Sequence, residues 1–355
     1  MRRVSPKAAH DYAEVFDGVP SQHDAKDAAV VAELAALGKA WPWPYMARSA
    51  WEQELVTSVD WLVAQRRIAM LWLGRIEALL ARHWPELTRR LSVSSGTLLR
   101  LVAHYGSPTA LAQDADAAAR LQRWSRQRLS AATVAEVVAS ARTTVGVRLG
   151  DVERASLQRS AAQALAARRE ARRSQRQLRG LAAAEPVLQA QGRAVGVVTA
   201  CVLWAGLGDP RPYSRGAAYR KAMGLNLVER SSGTYQGQLR MSKRGHPRVR
   251  QWLYLAVLRL IRREGVADWY RARQAQGPVA KRKALVGVMR KLALALYHVA
   301  VDGVAFEAGK LFGGPAAARP APRRGGRRGP ARAGRGAAAA PADRIGVEAR
   351  GGDQA

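Results

Sequence analysis

The sequence has little cysteine and little acid. Among its 355 residues there is one cysteine, Cys201, and there are 27 Asp and Glu against 58 Lys and Arg. One cysteine excludes an intrachain disulfide framework and a zinc cluster built on several cysteines, and it fits a reducing, cytoplasmic compartment. Cys201 lies in an apolar run, where we expect a buried and inert thiol.

Long hydrophobic runs are also missing. No uninterrupted apolar run reaches the roughly 18–20 residues that a membrane-spanning helix needs. The longest candidate, 194–208, is bounded by Arg193 and Asp209. The first eighteen residues begin with two arginines but contain no apolar stretch that would make a signal peptide. We therefore expect a cytoplasmic protein with no membrane partner.

The shortage of acids leaves a formal net charge of +31, which is more than solubility requires. Such a surplus indicates a polyanionic partner, and nucleic acid is the expected one. A hydrophobic content of 48% excludes a wholly disordered chain, and the length allows two or three domains, each with a core of its own.

Helical periodicity predicts a mainly α-helical fold that begins with a short segment, 1–40. There, Ser21 or Asp24 is expected to cap a helix that Gly38 ends. Its predicted apolar face consists of Ala28, Val31, Leu34 and Ala35. The prolines of the following WPWPY exclude a helix and mark a boundary.

The second segment, 41–181, is expected to be a helical region with two long, Arg-rich, amphipathic helices, Trp51 to His83 and Gly150 to Leu181. They fit either an antiparallel pair or a dimerising coiled coil, and their irregular heptads do not decide between the two. The apolar positions predicted for the first helix are Leu55, Val59, Leu62, Ile68, Leu71, Ile76, Leu79 and Leu80.

The third segment, 182–312, is expected to be a denser helical domain. It contains an apolar helix around Leu203, a helix that Pro247 opens, and a last helix over 278–301. The inward positions predicted for the last two helices are Leu253, Val257, Leu260, Ile261, Leu285, Val288, Met289, Leu292 and Leu296. From residue 313 onward Pro, Gly, Ala and Arg dominate, which predicts a disordered tail over 313–355.

The stretch RSSGTYQGQLRMSKRGHPRVR, residues 230–250, carries the most chemistry, and it is expected to form a surface loop or a weak hairpin. Basic side chains surround Ser231 and Ser232, and glycines allow a backbone to approach a phosphate closely. A serine hydroxyl becomes a nucleophile only beside a base or in an electropositive setting. A catalytic serine and a loop that only grips a nucleic-acid backbone both remain open, and these residues by themselves favour the second.

A second signal is the pair Asp24 and Asp27. Carboxylates at i and i+3 lie on one face of a helix and can share a divalent cation. A solvated first turn of a helix has the same pattern, so both interpretations stay open.

Three segments in this order, SQHDAKDA, AVGVVTACVLWAGLGDPRPY and GLNLVERSSGTYQGQLRMSKRGHPRVRQWLY, resemble the transposases of insertion-sequence family one hundred and ten. These are DEDD transposases that act as bridge-RNA-guided recombinases. The resemblance covers about residues 4–312 and implies that 1–40 is the end of a RuvC-like, RNase H-fold domain. It further implies a coiled-coil region over 41–181 and a serine-bearing transposase domain over 182–312.

By motif match, the resemblance implies that Ser232 is the nucleophile that attacks DNA, with Ser231 the less favoured neighbour. It implies that Asp24 and Asp27 are catalytic ligands of Mg²⁺. The partners implied are DNA, a guide RNA and further copies of the chain in a homo-oligomer.

The basic residues of the stretch are assigned to nucleic-acid binding. Those expected to contact phosphates are Arg230, Arg240, Lys243, Arg244, Arg248 and Arg250. His246 is a candidate proton shuttle, but a hydrogen bond at the start of the helix is the favoured role.

The family's other two acidic motifs lie upstream of its D-x-x-D pair, whereas Asp24 is only 23 residues after Met1. We therefore expect an N-terminally truncated copy that is inactive alone, with Asp11, Glu14 and Asp17 as ordinary surface acids. The alternative function is a non-enzymatic, basic nucleic-acid-binding protein.

Overall fold

The computed structural model describes residues 2–18, 23–42, 48–228, 240–242 and 244–312. Within these ranges the protein is mainly α-helical, as predicted. The helices of the first half are α1 (Pro6–Asp17), α2 (Asp24–Ala36), α3 (Ala50–His83), α4 (Pro85–Arg90), α5 (Gly96–Tyr105), α6 (Pro108–Gln113), α7 (Ala117–Ser125) and α8 (Ala131–Arg142). Those of the second half are α9 (Asp151–Ala183), α10 (Pro186–Val195), α11 (Val197–Leu207), α12 (Gly216–Ala222), α13 (Pro247–Leu260), α14 (Ala267–Gln274) and α15 (Pro278–Val301), followed by a 3₁₀ turn at Ala308–Leu311.

Among the described residues, four two-residue strands form two antiparallel pairs. In the first pair, β1 (Arg2–Arg3) lies beside β2 (Trp41–Pro42). In the second, β3 (Leu227–Val228) lies beside β4 (Arg240–Met241), with Leu227 opposite Met241. The predicted weak hairpin is therefore present at its base, and residues 229–239 between its strands lie outside the described ranges.

The long helices α3 and α9 run antiparallel within one chain. Trp51, at the start of α3, donates from its indole nitrogen to the carbonyl of Leu181 at the end of α9, at 3.1 Å. Arg75, near the other end of α3, donates to the hydroxyl of Ser156 at 3.2 Å. Ser49 and Glu52 close the start of α3 with a capping box. The antiparallel pair that the sequence allowed is therefore present within one chain.

Two cores lie along this pair. The second half of α3 and the first half of α9 pack with α4–α8, where Ile76, Leu98 and Leu157 are almost fully buried. The first half of α3 and the second half of α9 join α10–α15 in a larger core that includes Leu55, Leu178 and all five inward positions predicted for α15. Both long helices therefore belong to both cores.

The N-terminal helices α1 and α2 share a small cluster of their own, made by Ala13, Val30 and Leu34. The predicted face of α2 is wrong in part: Val31 is 42% exposed, and Lys26 is buried instead. The reason is an ion pair between Lys26 and Asp17 of α1, which turns the 26–30–34 stripe inward. The N-cap is His23, whose ring accepts from the amide of Lys26, and not Asp24; Ser21 lies outside the described residues.

Helix α15 is long and apolar enough to cross a membrane, which the count of uninterrupted apolar residues missed. Among the described residues it is the one such helix, and α10 with α11, bent by 120°, would together make a second. Val288, Leu292 and Leu296 of α15 are nevertheless fully buried within the protein. This is the pattern of a core helix.

Candidate nucleic-acid interface

The base of the β3–β4 hairpin is fastened to the end of α12. The amide of Ser242 donates to the carbonyl of Asn226 at 2.7 Å, and the amide of His246 donates to the carbonyl of Ala222 at 3.2 Å. Pro247 then opens α13, as predicted. The residues on both sides of 229–239 are therefore held by the helical core.

Two glycines make this attachment possible. Gly245 has φ +142°, and a Cβ there would lie 2.4 Å from both the carbonyl oxygen of Ala222 and the amide nitrogen of Gly224. Gly224 has φ +74°, and a Cβ there would lie 2.9 Å from the carbonyl oxygen of Arg244. Other side chains would be strained at such φ values. Gly245 thus lets one backbone approach another, whereas the sequence suggested an approach to phosphate.

Four of the six basic residues predicted to contact phosphates lie in the described ranges, and two of these four are accessible to a ligand. Arg240 on β4 and Arg244 after it are both exposed. Ser231, Ser232, Arg230 and Lys243 lie outside the described residues.

The other two nominated arginines bind the protein itself. Arg248 forms an ion pair with Asp60 of α3. Arg250 donates from Nη1 to the carbonyls of Gly245 at 3.0 Å and Met223 at 3.4 Å. These contacts hold α13 against α3 and against the hairpin base, so the structure gives both arginines a positioning role besides the predicted contact with a nucleic-acid backbone.

His246 occupies the N-cap position of α13 but makes no capping hydrogen bond with its side chain. Its Nδ1 is buried and has no hydrogen-bond partner in the described part of the chain. A Cβ at Gly206 would lie 3.4 Å from the imidazole, so the ring sits over α11 and away from the free amides of α13. Burial, together with the charges of Arg248 and Arg250, lowers the pKa of His246. The predicted hydrogen bond at the helix start is wrong.

Asp24 and Asp27 lie in the first turn of α2 and are both exposed. Acids at this position stabilise a helix through its dipole. Among the described residues, no group of three or more His, Cys, Asp or Glu is placed to hold a metal ion. The pair fits Mg²⁺ only as two ligands that water and substrate phosphates would complete.

Cys201 is completely buried in α11, and its thiol donates to the carbonyl of Leu178 at 3.6 Å. Burial raises the pKa of this thiol to about 12. The thiolate that cysteine chemistry requires is therefore scarce, in agreement with the inert role expected.

The basic character of this region extends well beyond the residues predicted from the serine block. Residues 210–263 contain thirteen Lys and Arg but a single acid, Glu229. The stretch includes α12, with Arg220 and Lys221, as well as β3, β4 and α13. The long gap between acids was the available signal, and it marks a larger basic surface than the serine block alone.

A family model described as Transposase IS116/IS110/IS902 family matches residues 190–272. The match begins in α10 and ends in α14, so it includes the hairpin and the acid-poor stretch. A search of curated proteins found no match.

Proposed function

We propose that the chain is a transposase of the IS116/IS110/IS902 type that cleaves and rejoins DNA with a serine nucleophile under RNA guidance, because the model of that family matches residues 190–272. The supporting observation is the place of that match. It spans the basic hairpin base and the serines that follow β3 in the sequence.

In the proposed reaction the hydroxyl oxygen of Ser232 attacks a phosphorus atom of DNA. The hydroxyl proton leaves to a base or to water, and the displaced DNA oxygen departs as a hydroxyl after taking up a proton. A phosphoserine ester then links the protein to one DNA end. A DNA hydroxyl attacks that ester in the second step, which joins the new strand and restores Ser232.

The cations have two roles in this proposal. Exposed Arg240 and Arg244, with Arg230 and Lys243 by their place in the sequence, neutralise the charge that develops on the attacked phosphate. Arg248 and Arg250 fix the hairpin base through Asp60 and through backbone carbonyls. Because its pKa is lowered, His246 is neutral at neutral pH and adds no further positive charge beside the base of the hairpin.

For the N-terminal segment, the long helices and the partners, the proposal takes over what the family resemblance implies. Residues 1–40 belong to a RuvC-like domain, in which Asp24 and Asp27 hold Mg²⁺ together with nucleic-acid phosphates. Such an ion would supply Lewis-acid stabilisation of a phosphate. The α3–α9 pair forms the coiled-coil region of a homo-oligomer, and the complex of protein, DNA and guide RNA works in the cytoplasm.

The covalent step is tested with Ser232→Ala. Because the chain is expected to be inactive alone, labelled DNA is incubated with the full chain, Mg²⁺, co-purified RNA and an upstream RuvC-like half supplied as a separate chain. Protein–DNA adducts are then separated on a denaturing gel. We expect Ser232→Ala to abolish the adduct while DNA affinity stays within about twofold, since one neutral hydroxyl adds little to binding dominated by phosphate charge. The matched control, Ser231→Ala, should keep the adduct.

An adduct that survives Ser232→Ala would overturn the assignment of the nucleophile. A wild-type chain that binds DNA tightly but forms no adduct even with the upstream RuvC-like half supplied would favour the non-enzymatic nucleic-acid-binding function.

A further inference from the structure

Two arginines outside the nominated set have buried guanidinium atoms with nothing to bind. The Nε atoms of Arg220 on α12 and Arg290 on α15 are both inaccessible to solvent, and neither has a hydrogen-bond partner in the described part of the chain. Neither side chain forms an ion pair with a described acid. Buried polar groups without partners are rare in proteins, and each calls for an explanation.

The packing of the two helices brings these side chains together. A Cβ at Gly216 of α12 would lie 3.1 Å from side-chain atoms of Leu294 and Tyr297 on α15, so the helices touch closely there. Arg220 is one turn further along α12, and Arg290 is one turn before Leu294 on α15. The charge of Arg220, in addition to burial, lowers the pKa of Arg290, as expected for neighbouring cations.

Two neighbouring guanidinium groups repel each other, and arginine does not relieve the repulsion by losing its proton. The sequence offers little compensation. Helix α15 contains no acid, and 210–263 contains only Glu229. An anion from outside the protein would neutralise both groups by binding their terminal nitrogens, since the two Nε atoms are inaccessible, and the planar guanidinium fork matches the oxygens of a phosphate.

We propose that Arg220 and Arg290 together bind one phosphate group between α12 and α15. The carbonyl of Arg220 accepts from the amide of Leu225 at 3.3 Å, and β3 begins at Leu227, so the pair lies beside the base of the hairpin. Resting on the proposed function, the phosphate is a phosphodiester of the nucleic-acid strand that the hairpin engages. The pair therefore holds the strand next to the reacting segment.

The phosphate site is tested first with inorganic phosphate. Thermal unfolding of the full chain is followed in phosphate and in chloride at equal ionic strength. We expect phosphate to raise the Tm of the wild type, because a ligand that binds only the folded state stabilises it, and we expect this rise to vanish in Arg220→Gln/Arg290→Gln. The matched control is Arg142→Gln, an exposed arginine at the end of α8, which should keep the rise.

The same experiment separates a ligand role from a structural one. In chloride, the double variant should have a Tm equal to or above that of the wild type, since removal of two like charges relieves repulsion. A lower Tm in chloride combined with an unchanged rise in phosphate would overturn the proposal.

The second test measures binding of a single-stranded DNA oligonucleotide at several salt concentrations. The double variant should bind about tenfold more weakly at low salt, and the slope of log K against log salt should fall by about 0.7 for the lost phosphate contact. Arg142→Gln should change neither. Loss of the inorganic-phosphate rise with unchanged DNA affinity would show a site for free phosphate and would overturn the assignment to a nucleic-acid strand.

These outcomes are independent of the serine chemistry. A double variant that matches the wild type in both tests, while the wild type still forms the Ser232 adduct, overturns this inference and leaves the proposed function intact. If phosphate raises Tm only when Arg220 and Arg290 are present, but the chain forms no Ser232 adduct, this inference stands and the proposed function is overturned.

Discussion

The arginines of the α3–α9 region and those around the β3–β4 hairpin have different surroundings. In the first region several of them pair with acids: Arg82 pairs with Glu153, and Arg90 pairs with Glu136 at 2.7 Å. Around the hairpin the acids are almost absent from the sequence, and neither Arg220 nor Arg290 forms an ion pair with an acid of the described ranges. The same residue type therefore forms stabilising ion pairs at these positions of the first region, whereas at Arg220 and Arg290 it is left without an acid.

The difference teaches that net charge alone does not locate a nucleic-acid surface. A paired arginine contributes to packing and adds little positive potential, whereas an unpaired one keeps its full charge. The spacing of acids along the chain, rather than the number of arginines, separates the two regions.

The largest expected effect concerns glycine, which also differs between the two regions. Gly245→Ala should destabilise the protein by on the order of 3 kcal/mol, because it adds a Cβ at φ +142° and 2.4 Å from two backbone atoms. Gly180→Ala in α9, where a Cβ meets nothing within 4 Å, should stabilise it by about 0.5–1 kcal/mol. Urea unfolding measures both, and changes of equal sign would contradict the contrast.

A smaller effect is expected when an acid is removed from the paired region. Glu153→Gln removes the carboxylate that pairs with Arg82 and should therefore lower Tm. Arg82 would then lack an acidic partner, as Arg220 does. A hydrogen bond from the amide of Gly150, together with the charge of Arg82, lowers the pKa of Glu153. This stabilisation is therefore present above the unfolded pKa of about 4.3 and is lost as pH falls.

The control for that change is Glu77→Gln, an exposed residue on α3. Thermal unfolding is measured between pH 3 and pH 7. As pH falls, Tm should decrease less in Glu153→Gln than in the wild type, and it should decrease in Glu77→Gln as it does in the wild type. Identical profiles for the two variants would show that the pairing has no role in stability.

The smallest effect concerns His246, at the edge of the basic surface. Burial lowers its pKa, so the unfolded chain takes up a proton before the folded chain does as pH falls. The wild type should lose stability below about pH 6.5, and His246→Gln should lose less over the same interval. A variant with an unchanged pH profile between pH 5 and pH 7 would contradict the burial of this ring.

Much of the fold could be predicted from the sequence because helix starts and faces are local signals. Pro247 and Pro278 open α13 and α15, and the face predicted for α15 is buried. Failures occur where a distant contact decides. Lys26 of α2 pairs with Asp17 of α1, and Leu71, predicted to face inward, is 66% exposed.

The candidate site was only partly predictable for the same reason. The sequence located the basic stretch, but it did not show that Arg248 binds Asp60, 188 residues away. Arg220 and Arg290 lie on two helices separated by 70 positions, and only the packing at Gly216 unites them. The glycines of the stretch were expected to let the backbone approach a phosphate, whereas Gly245 lets it approach the backbone at Ala222 and Gly224.

Helix α3 links the two regions more firmly than a connecting loop would. It has 34 residues, a length of about 50 Å, and it contributes Leu55 to one core and Ile76 to the other. Its Asp60 also anchors Arg248 at the foot of the hairpin. A continuous helix is stiff, so a torque applied at its far end reaches the end beside the hairpin without a hinge to absorb it.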